Sequence, residues 1–437
     1  MKERALCRLG VMVLCGSLVP VVSGQVRRMS LREFLKRVER GSAEVELARL
    51  EAERAWQRVE LGRDPFVPKA FAGSGLAYTS GFPMSIEGAA PSVIEARVVG
   101  ALIDLPRSRE LEAARVLASA QQLAVEDQRS AVLLHALELV LDWELARRRQ
   151  QWLEQQIDSV ERTLSVTEAR VSEGLELPLA ARRVAWELLQ LRQQLEESRG
   201  LQSLLEARMS VTAGLGPNQR VQLELSDLPR TVVPSDVGEA IQHAWLRNGR
   251  LQRLERELRA ARLRESGARA ERWPRIALVA QYGLFSRFNN YEEFFRKFQR
   301  NNAQLGMAFE IPLWLGPASK ARVEEAVLEQ RRLKIEIEQE RARIALAVGQ
   351  AFQSMHAAER RVEVAEAGLQ LAEEEWQVME ARFQEGKATL TELEAKRRLW
   401  LERAAALEEA RLERERARWR LAYATGELLE RLEPWLQ

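Results

Sequence analysis

The stretch Ile344–Phe383, IALAVGQAFQSMHAAERRVEVAEAGLQLAEEEWQVMEARF, holds an unbroken alternation of four- and three-residue apolar steps. Ile344, Val348, Ala351, Met355, Ala358, Val362, Ala365, Leu369, Ala372, Trp376, Met379 and Phe383 all fall on it. An apolar stripe with a mean period of about 3.5 residues, held this long, makes helices supercoil along a narrow seam. The same register occurs 212 positions earlier, from Val132, Ala136, Leu139 and Trp143 to Val171, with only Gln150 and Thr167 polar. The chain therefore reads as two copies of one unit.

Each half follows the same order. Ser30 with Glu33, and Asp236 with Glu239, have the spacing of a capping box. A helix follows, Ser42 to about Gly62 and Asn248 to about Arg272, stopping before Pro68 and Pro274. A second proline pair, Pro106 and Pro312, keeps the same offset of 206, and an insertion at Trp314–Ser319 lengthens it to 212. The long helices are expected over Arg107–Glu173 and Ser319–Glu385, each about 100 Å long at about 1.5 Å per residue. They end in matched motifs, Glu168-Ala169-Arg170-Val171-Ser172-Glu173-Gly174 and Glu380-Ala381-Arg382-Phe383-Gln384-Glu385-Gly386, where glycine supplies a left-handed stop. Shorter helices return over Pro178–Ala213 and Leu390–Gly426. Two short helices placed end to end should cover each long one, giving a long, narrow body.

Between the proline pairs the period changes to two. Ile276, Leu278, Ala280, Tyr282 and Leu284 alternate with Ala277, Val279, Gln281 and Gly283; Leu305, Met307, Phe309 and Ile311 alternate with Gly306, Ala308 and Glu310. Each run has the length of a membrane-spanning strand with one apolar face. The first half is weaker, with Val99, Ala101, Ile103 and Leu105 taken as its apolar face and Phe71–Tyr78 glycine-rich. Phe82, Phe285, Phe288, Tyr291, Phe294, Phe295 and Phe298 in the connecting loops suit an interfacial aromatic belt. Alone, the pattern also suits a soluble four-stranded sheet. Four strands cannot close a barrel in lipid, so strands that span must be shared among chains; three chains would supply twelve.

Lys2, Arg4 and Arg8 ahead of the apolar run Leu9–Val22 read as a signal peptide, residues 1–24, with cleavage before Gln25. Cys7 and Cys15 both lie within it, so the mature chain is expected to have no thiol chemistry. Without those residues 63 basic side chains balance 63 acidic ones, which offers nucleic acid no basic surface. His135, His243 and His356 are far apart, and no glycine-rich phosphate loop is present. No enzyme, metal or cofactor is expected.

The two Glu-Ala-Arg-x-x-Glu-Gly turns and the proline-bounded strand pairs resemble the TolC-like outer-membrane efflux proteins, over essentially the whole mature chain. The resemblance implies a mainly α fold with a small β part. Two tandem repeats, 25–225 and 226–437, would each give two strands to a trimeric 12-stranded β-barrel continued by an α-helical periplasmic tube. It implies a homotrimeric conduit in outer-membrane lipid that exports solutes and docks to a periplasmic adaptor and an inner-membrane transporter. Arg170, Val171, Gly174, Arg382, Phe383 and Gly386 then fall at the periplasmic tips as adaptor contacts, with Val171 where the family carries an aromatic residue. Glu392, with Glu394 beside it, falls near the family's acidic gate, although Ala395 takes the second acidic position. Ile276, Leu278, Tyr282, Leu305, Met307 and Phe309 would face lipid. The rival readings are a structural periplasmic coiled-coil protein, which needs no symmetric strand pairs, and an adaptor, which has one hairpin rather than two.

Overall fold

The computed structural model describes residues 25–75, 92–216, 219–224, 234, 236–285, 299 and 301–436. The leader, the loop aromatics from Phe82 to Phe298 and the repeat boundary at 225 lie outside these residues or their described side chains. In chain order the elements are β1 (Gln25–Ser30), α1 (Leu31–Gly41), α2 (Ala43–Arg63), β2 (Lys69–Gly73), β3 (Ser92–Ile103), α3 (Leu105–Ser172) and α4 (Pro178–Thr212). They continue with β4 (Gln219–Glu224), α5 (Val237–Arg247), α6 (Gly249–Arg269), β5 (Arg275–Phe285), β6 (Asn301–Glu310), α7 (Gly316–Gln384), α8 (Leu390–Ala424) and α9 (Leu428–Leu436).

Local chemistry starts the helices in matched pairs. Ser30 Oγ accepts from Glu33 N at 3.2 Å and Asp236 Oδ2 from Glu239 N at 3.0 Å. One helix later Ser42 caps Val45 N and Asn248 caps Leu251 N. Each cap satisfies an amide that the helix leaves unpaired, worth about 1 kcal/mol. The long helices α3 and α7 run for 68 and 69 residues, opening two to three residues earlier than their prolines suggested. Proline is tolerated in a first turn, where its missing N–H has no intrahelical partner.

The packing is less symmetric than the repeat. Helix α3 lies against α2 and α4 of its own half and against α6 and α8 of the other, whereas α7 packs on α5, α6 and α8. Burial follows this. Around its middle α3 buries Leu133, Leu137, Val140 and Leu141 besides the stripe residues Val132, Ala136, Leu139 and Trp143. On α7 the buried stripe thins after Val362 and Ala372, and Phe383 is exposed. Ion pairs line the seam between halves: Arg420 Nε to Glu138 Oε1 at 2.6 Å, Arg416 to Asp142, and Arg148 to Glu408.

Midway along α3 sits a collar that the sequence reading did not foresee. Strands β1 and β4 pair in parallel, Gln25 opposite Gln219 through Ser30 opposite Glu224. Met29, Val221 and Leu223 from this pair join Leu31, Phe34, Leu35 and Val38 of α1 and Leu428, Leu432 and Leu436 of α9 on the surface of α3. Burying each large apolar side chain contributes about 1.5–3 kcal/mol, so this cluster anchors the otherwise thin bundle.

At the other end of the short helices a four-stranded antiparallel sheet has the order β2-β3-β5-β6. Ile276 stands opposite Phe309, Leu278 opposite Met307 and Ala280 opposite Leu305. In β3 the apolar face belongs to Ile94, Ala96, Val98 and Ile103, not to Val99, Ala101 and Leu105. A register shift between Ala101 and Ile103 leaves Val99 and Ala101 opposite Val279 and Ala277, on the other face, and Leu105 already opens α3. A bulge inserts one residue and thereby flips the alternation.

Candidate functional site

Both long helices end in the same hydrogen-bonded turn. Gly174 (φ 72°) and Gly386 (φ 70°) are left-handed. Leu175 N donates to Arg170 O at 2.9 Å, and Lys387 N to Arg382 O at 2.8 Å; Gly174 N bonds Val171 O as Gly386 N bonds Phe383 O. These bonds close carbonyls that the helix ends expose, and a Cβ at either glycine meets nothing within 4 Å, so only backbone conformation requires glycine there.

The side chains on these matched turns differ. Arg170 Nε lies 3.2 Å from Glu176 Oε1, folding that guanidinium back on its own turn. Arg382 is exposed and forms no ion pair among the described residues, while Lys387 pairs with Glu385 at 2.7 Å. Val171 is half-buried and Phe383 is 38 % exposed. The first turn also displays Leu175, Leu177 and Leu179, each more than half exposed. Their counterparts at the second turn are Lys387, Thr389 and Thr391. The sequence reading missed these leucines, although the alternation Leu-Glu-Leu-Pro-Leu in a tip carried the signal.

The two glutamates nominated as a gate do different things. Glu392 completes a capping box. Its Oε2 accepts from Thr389 N at 2.8 Å and from Thr389 Oγ1 at 2.9 Å, and its own N donates to Thr389 Oγ1 at 3.3 Å. The bond from the Thr389 amide, then that from its hydroxyl, holds the Glu392 carboxyl below the ordinary carboxylate range. Glu394 is 5 % exposed and turned onto α3, where Ser159 Oγ donates to it and Arg162 Nε lies 3.8 Å away. Beyond Ser159, Thr163 and Thr167 continue a buried stripe of small hydroxyls, each bonded to the carbonyl four residues back.

On the sheet, Ile276, Leu278, Tyr282, Leu305, Met307 and Phe309 share one face. Leu305, Met307 and Phe309 on the edge strand β6 are 81, 71 and 61 % exposed, and Ile94 and Ile103 extend the patch on β3. Soluble monomers rarely leave so continuous an apolar surface to water. The opposite face is mixed, with Val99, Ala101, Ala277 and Val279 towards the helices and a polar group beyond them. Gln281 stands between Arg97 and Gln304, and its Nε2 donates to Glu95 Oε1 at 2.9 Å. Just past β6, Leu313 and Trp314 are 95 and 87 % exposed. No described helix is long and apolar enough to cross a membrane, and no group of three or more His, Cys, Asp or Glu among the described residues could hold a metal ion.

Residues 240–427 match the family model of outer membrane efflux proteins. No curated protein matches the chain by sequence. Among solved structures the chain is similar to CusC, with a TM-score of 0.74 at 16 % identity over 90 % of this chain and 91 % of that one. It is similar to the CmeC outer membrane channel of Campylobacter jejuni (TM-score 0.73, 14 % identity, 91 and 85 % covered). The open-state MtrE outer membrane channel of Neisseria gonorrhoeae matches at TM-score 0.70 and 14 % identity over 92 and 89 %. At such identities the likeness establishes the fold: a long helical bundle joined to a small sheet.

Proposed function

We propose that the chain belongs to the outer membrane efflux proteins and builds a conduit, on the family match over residues 240–427 and the shared fold over nine-tenths of its length. The family consists of outer-membrane export channels and is not a class of enzymes. Three copies close their β2-β3-β5-β6 sheets into one 12-stranded barrel, and their helices continue it as a tube into the periplasm. The carrying observation is the sheet itself: one face continuously apolar, the other carrying Glu95, Arg97, Gln281 and Gln304, and open edges at β2 and β6. Open edges do not survive in hydrocarbon, so the strands must be completed by neighbours. Leu313 and Trp314 sit where strand gives way to helix, the level at which aromatic side chains anchor to lipid headgroups.

At the far end the tips meet a periplasmic adaptor, which links the tube to an inner-membrane transporter. The exposed Leu175, Leu177 and Leu179 of one tip, and Arg382, Phe383 and Lys387 of the other, offer two chemically distinct contacts per subunit. The adaptor would therefore read alternating apolar and basic tips, not six equal ones. A purely structural coiled-coil protein would need neither the apolar sheet face nor the polar group behind it. The test is the detergent-corrected mass of protein extracted from outer membranes, with conductance in planar bilayers. A three-chain particle that conducts supports the conduit; a monomer soluble without detergent refutes it.

A further inference from the structure

The exposed apolar residues of α7 are not scattered. Leu328, Ile335, Leu346, Val364, Leu371 and Val378 are each more than half exposed. Moving back 212 positions lands on Val116, Leu123, Leu134, Trp152, Ser159 and Val166 of α3, every one buried or half-buried. In the first half this face is covered by α6 and α8. On α7 the same face is bare. Helix α4 shows the complementary pattern: Trp186, Leu189, Leu201 and Leu204 are exposed, while their counterparts on α8, Arg398, Leu401, Glu413 and Arg416, are buried or half-buried.

We infer that α7 of one copy packs against α4 of the next in the register that α3 and α8 use within the chain, joined by Arg360–Glu196 and Glu374–Arg182 ion pairs. The register follows from the repeat. The Arg148–Glu408 pair maps onto Arg360 and Glu196 with its signs unchanged. Arg162 facing Glu394 maps onto Glu374 facing Arg182 with both signs reversed, so attraction is kept although each residue has changed. Arg360 and Arg182 are exposed and make no ion pair among the described residues, and Glu196 is held only by Arg199, a surface neighbour three residues on. The other two cross-seam pairs are not carried over. Glu138–Arg420 and Asp142–Arg416 map onto Gln350 with Arg208 and onto Ser354 with Leu204. The subunit seam is thus the same joint with fewer charges and more apolar contact, Leu371 replacing the buried Ser159.

This inference rests on the shared-barrel reading, and the experiment separates the two. Full-length protein in its own outer membrane is used, with Cys7 and Cys15 changed to serine so that introduced thiols are the only ones. Arg360→Cys with Glu196→Cys, and Glu374→Cys with Arg182→Cys, are treated with a short bismaleimide. Both pairs should give covalent dimers and trimers on denaturing gels. Arg360→Cys with Arg182→Cys should not, because 14 residues of helix displace the thiols by about 21 Å. A three-chain particle that cross-links in the control register, or in neither, overturns the seam and leaves the barrel standing. A one-chain particle overturns both. Charge reversal supplies a second readout. Arg360→Glu should lower survival of the trimer on heating in detergent, and adding Glu196→Arg should restore it. Each such pair contributes up to about fivefold to the association constant and occurs at every seam. A double variant no more stable than the single one would overturn the pairing.

Discussion

Replacing Glu394 should loosen the joint between the two halves rather than alter ion passage. The carboxylate is buried, accepts from Ser159 Oγ, and has Arg162 Nε and Arg397 Nη1 each 3.8 Å away on half-exposed side chains. A hydrogen bond to a charged group contributes about 1.5–3 kcal/mol, and each loosely held arginine adds about 0.5 kcal/mol or less. Glu394→Ala should therefore cost about 2–3 kcal/mol locally, and Ser159→Ala about 1–2 kcal/mol by leaving the carboxylate with the arginines alone. Because the two remove the same bond, the double variant should be less damaged than the sum, with a coupling of about 1–2 kcal/mol. A chain of this length does not unfold in two states, so the assay is amide hydrogen exchange over residues 155–165 and 388–398. A loss of about 2 kcal/mol raises local opening about 30-fold. If Glu394→Gln leaves exchange within twofold of the parent yet changes cation selectivity in bilayers, the residue faces the pore and this account is wrong.

Glu392 gives a pH dependence of definite sign. Its folded-state pKa is lowered, so its stabilisation is complete above the unfolded carboxylate value and disappears as pH falls through the folded one. With the intrinsic pH dependence of exchange divided out, protection in the first turn of α8 should fall as the pH is lowered through that acid range, and in Glu392→Gln the fall should vanish. Gly386→Ala and Gly174→Ala should each cost about 1–2 kcal/mol, the strain of a left-handed alanine, because neither added methyl meets another atom. The loss should appear as faster exchange at the tip with an unchanged particle mass. Asp127 faces the start of α6, beside the Gly249 backbone. Burial, the largest effect, raises its pKa despite Arg253 and Arg250, so its charged form opposes folding at neutral pH. Asp127→Asn should leave thermal stability at pH 7 equal or higher, and a clear loss would mean that the two arginines and the helix end outweigh burial.

What the sequence determined by itself is what contiguous residues can encode. The 3.5-residue stripe, the 212-residue repeat, caps at Ser30, Ser42, Asp236 and Asn248, and glycine stops at Gly174 and Gly386 all act through neighbours within a turn or two. Those features set the type of the longer helices and the ends of α2, α3, α4, α6, α7 and α8 to within about three residues. The β5 and β6 alternation was legible for the same reason. The β3 assignment was not, because a bulge between Ala101 and Ile103 is decided by pairing with β5. Nor was the parallel β1–β4 pair, whose strands lie nearly 200 residues apart and carry no turn signal between them. Tertiary structure alone decided that α3 is covered on two sides and α7 on one, that Glu394 turns onto Ser159 while Glu392 caps its own helix, and that Arg170 folds onto Glu176 while Arg382 pairs with no acid among the described residues. A heptad stripe states that a face must be buried. Which helix buries it depends on the shapes and charges of every candidate partner at once, and two nearly identical repeats can meet that demand in different ways.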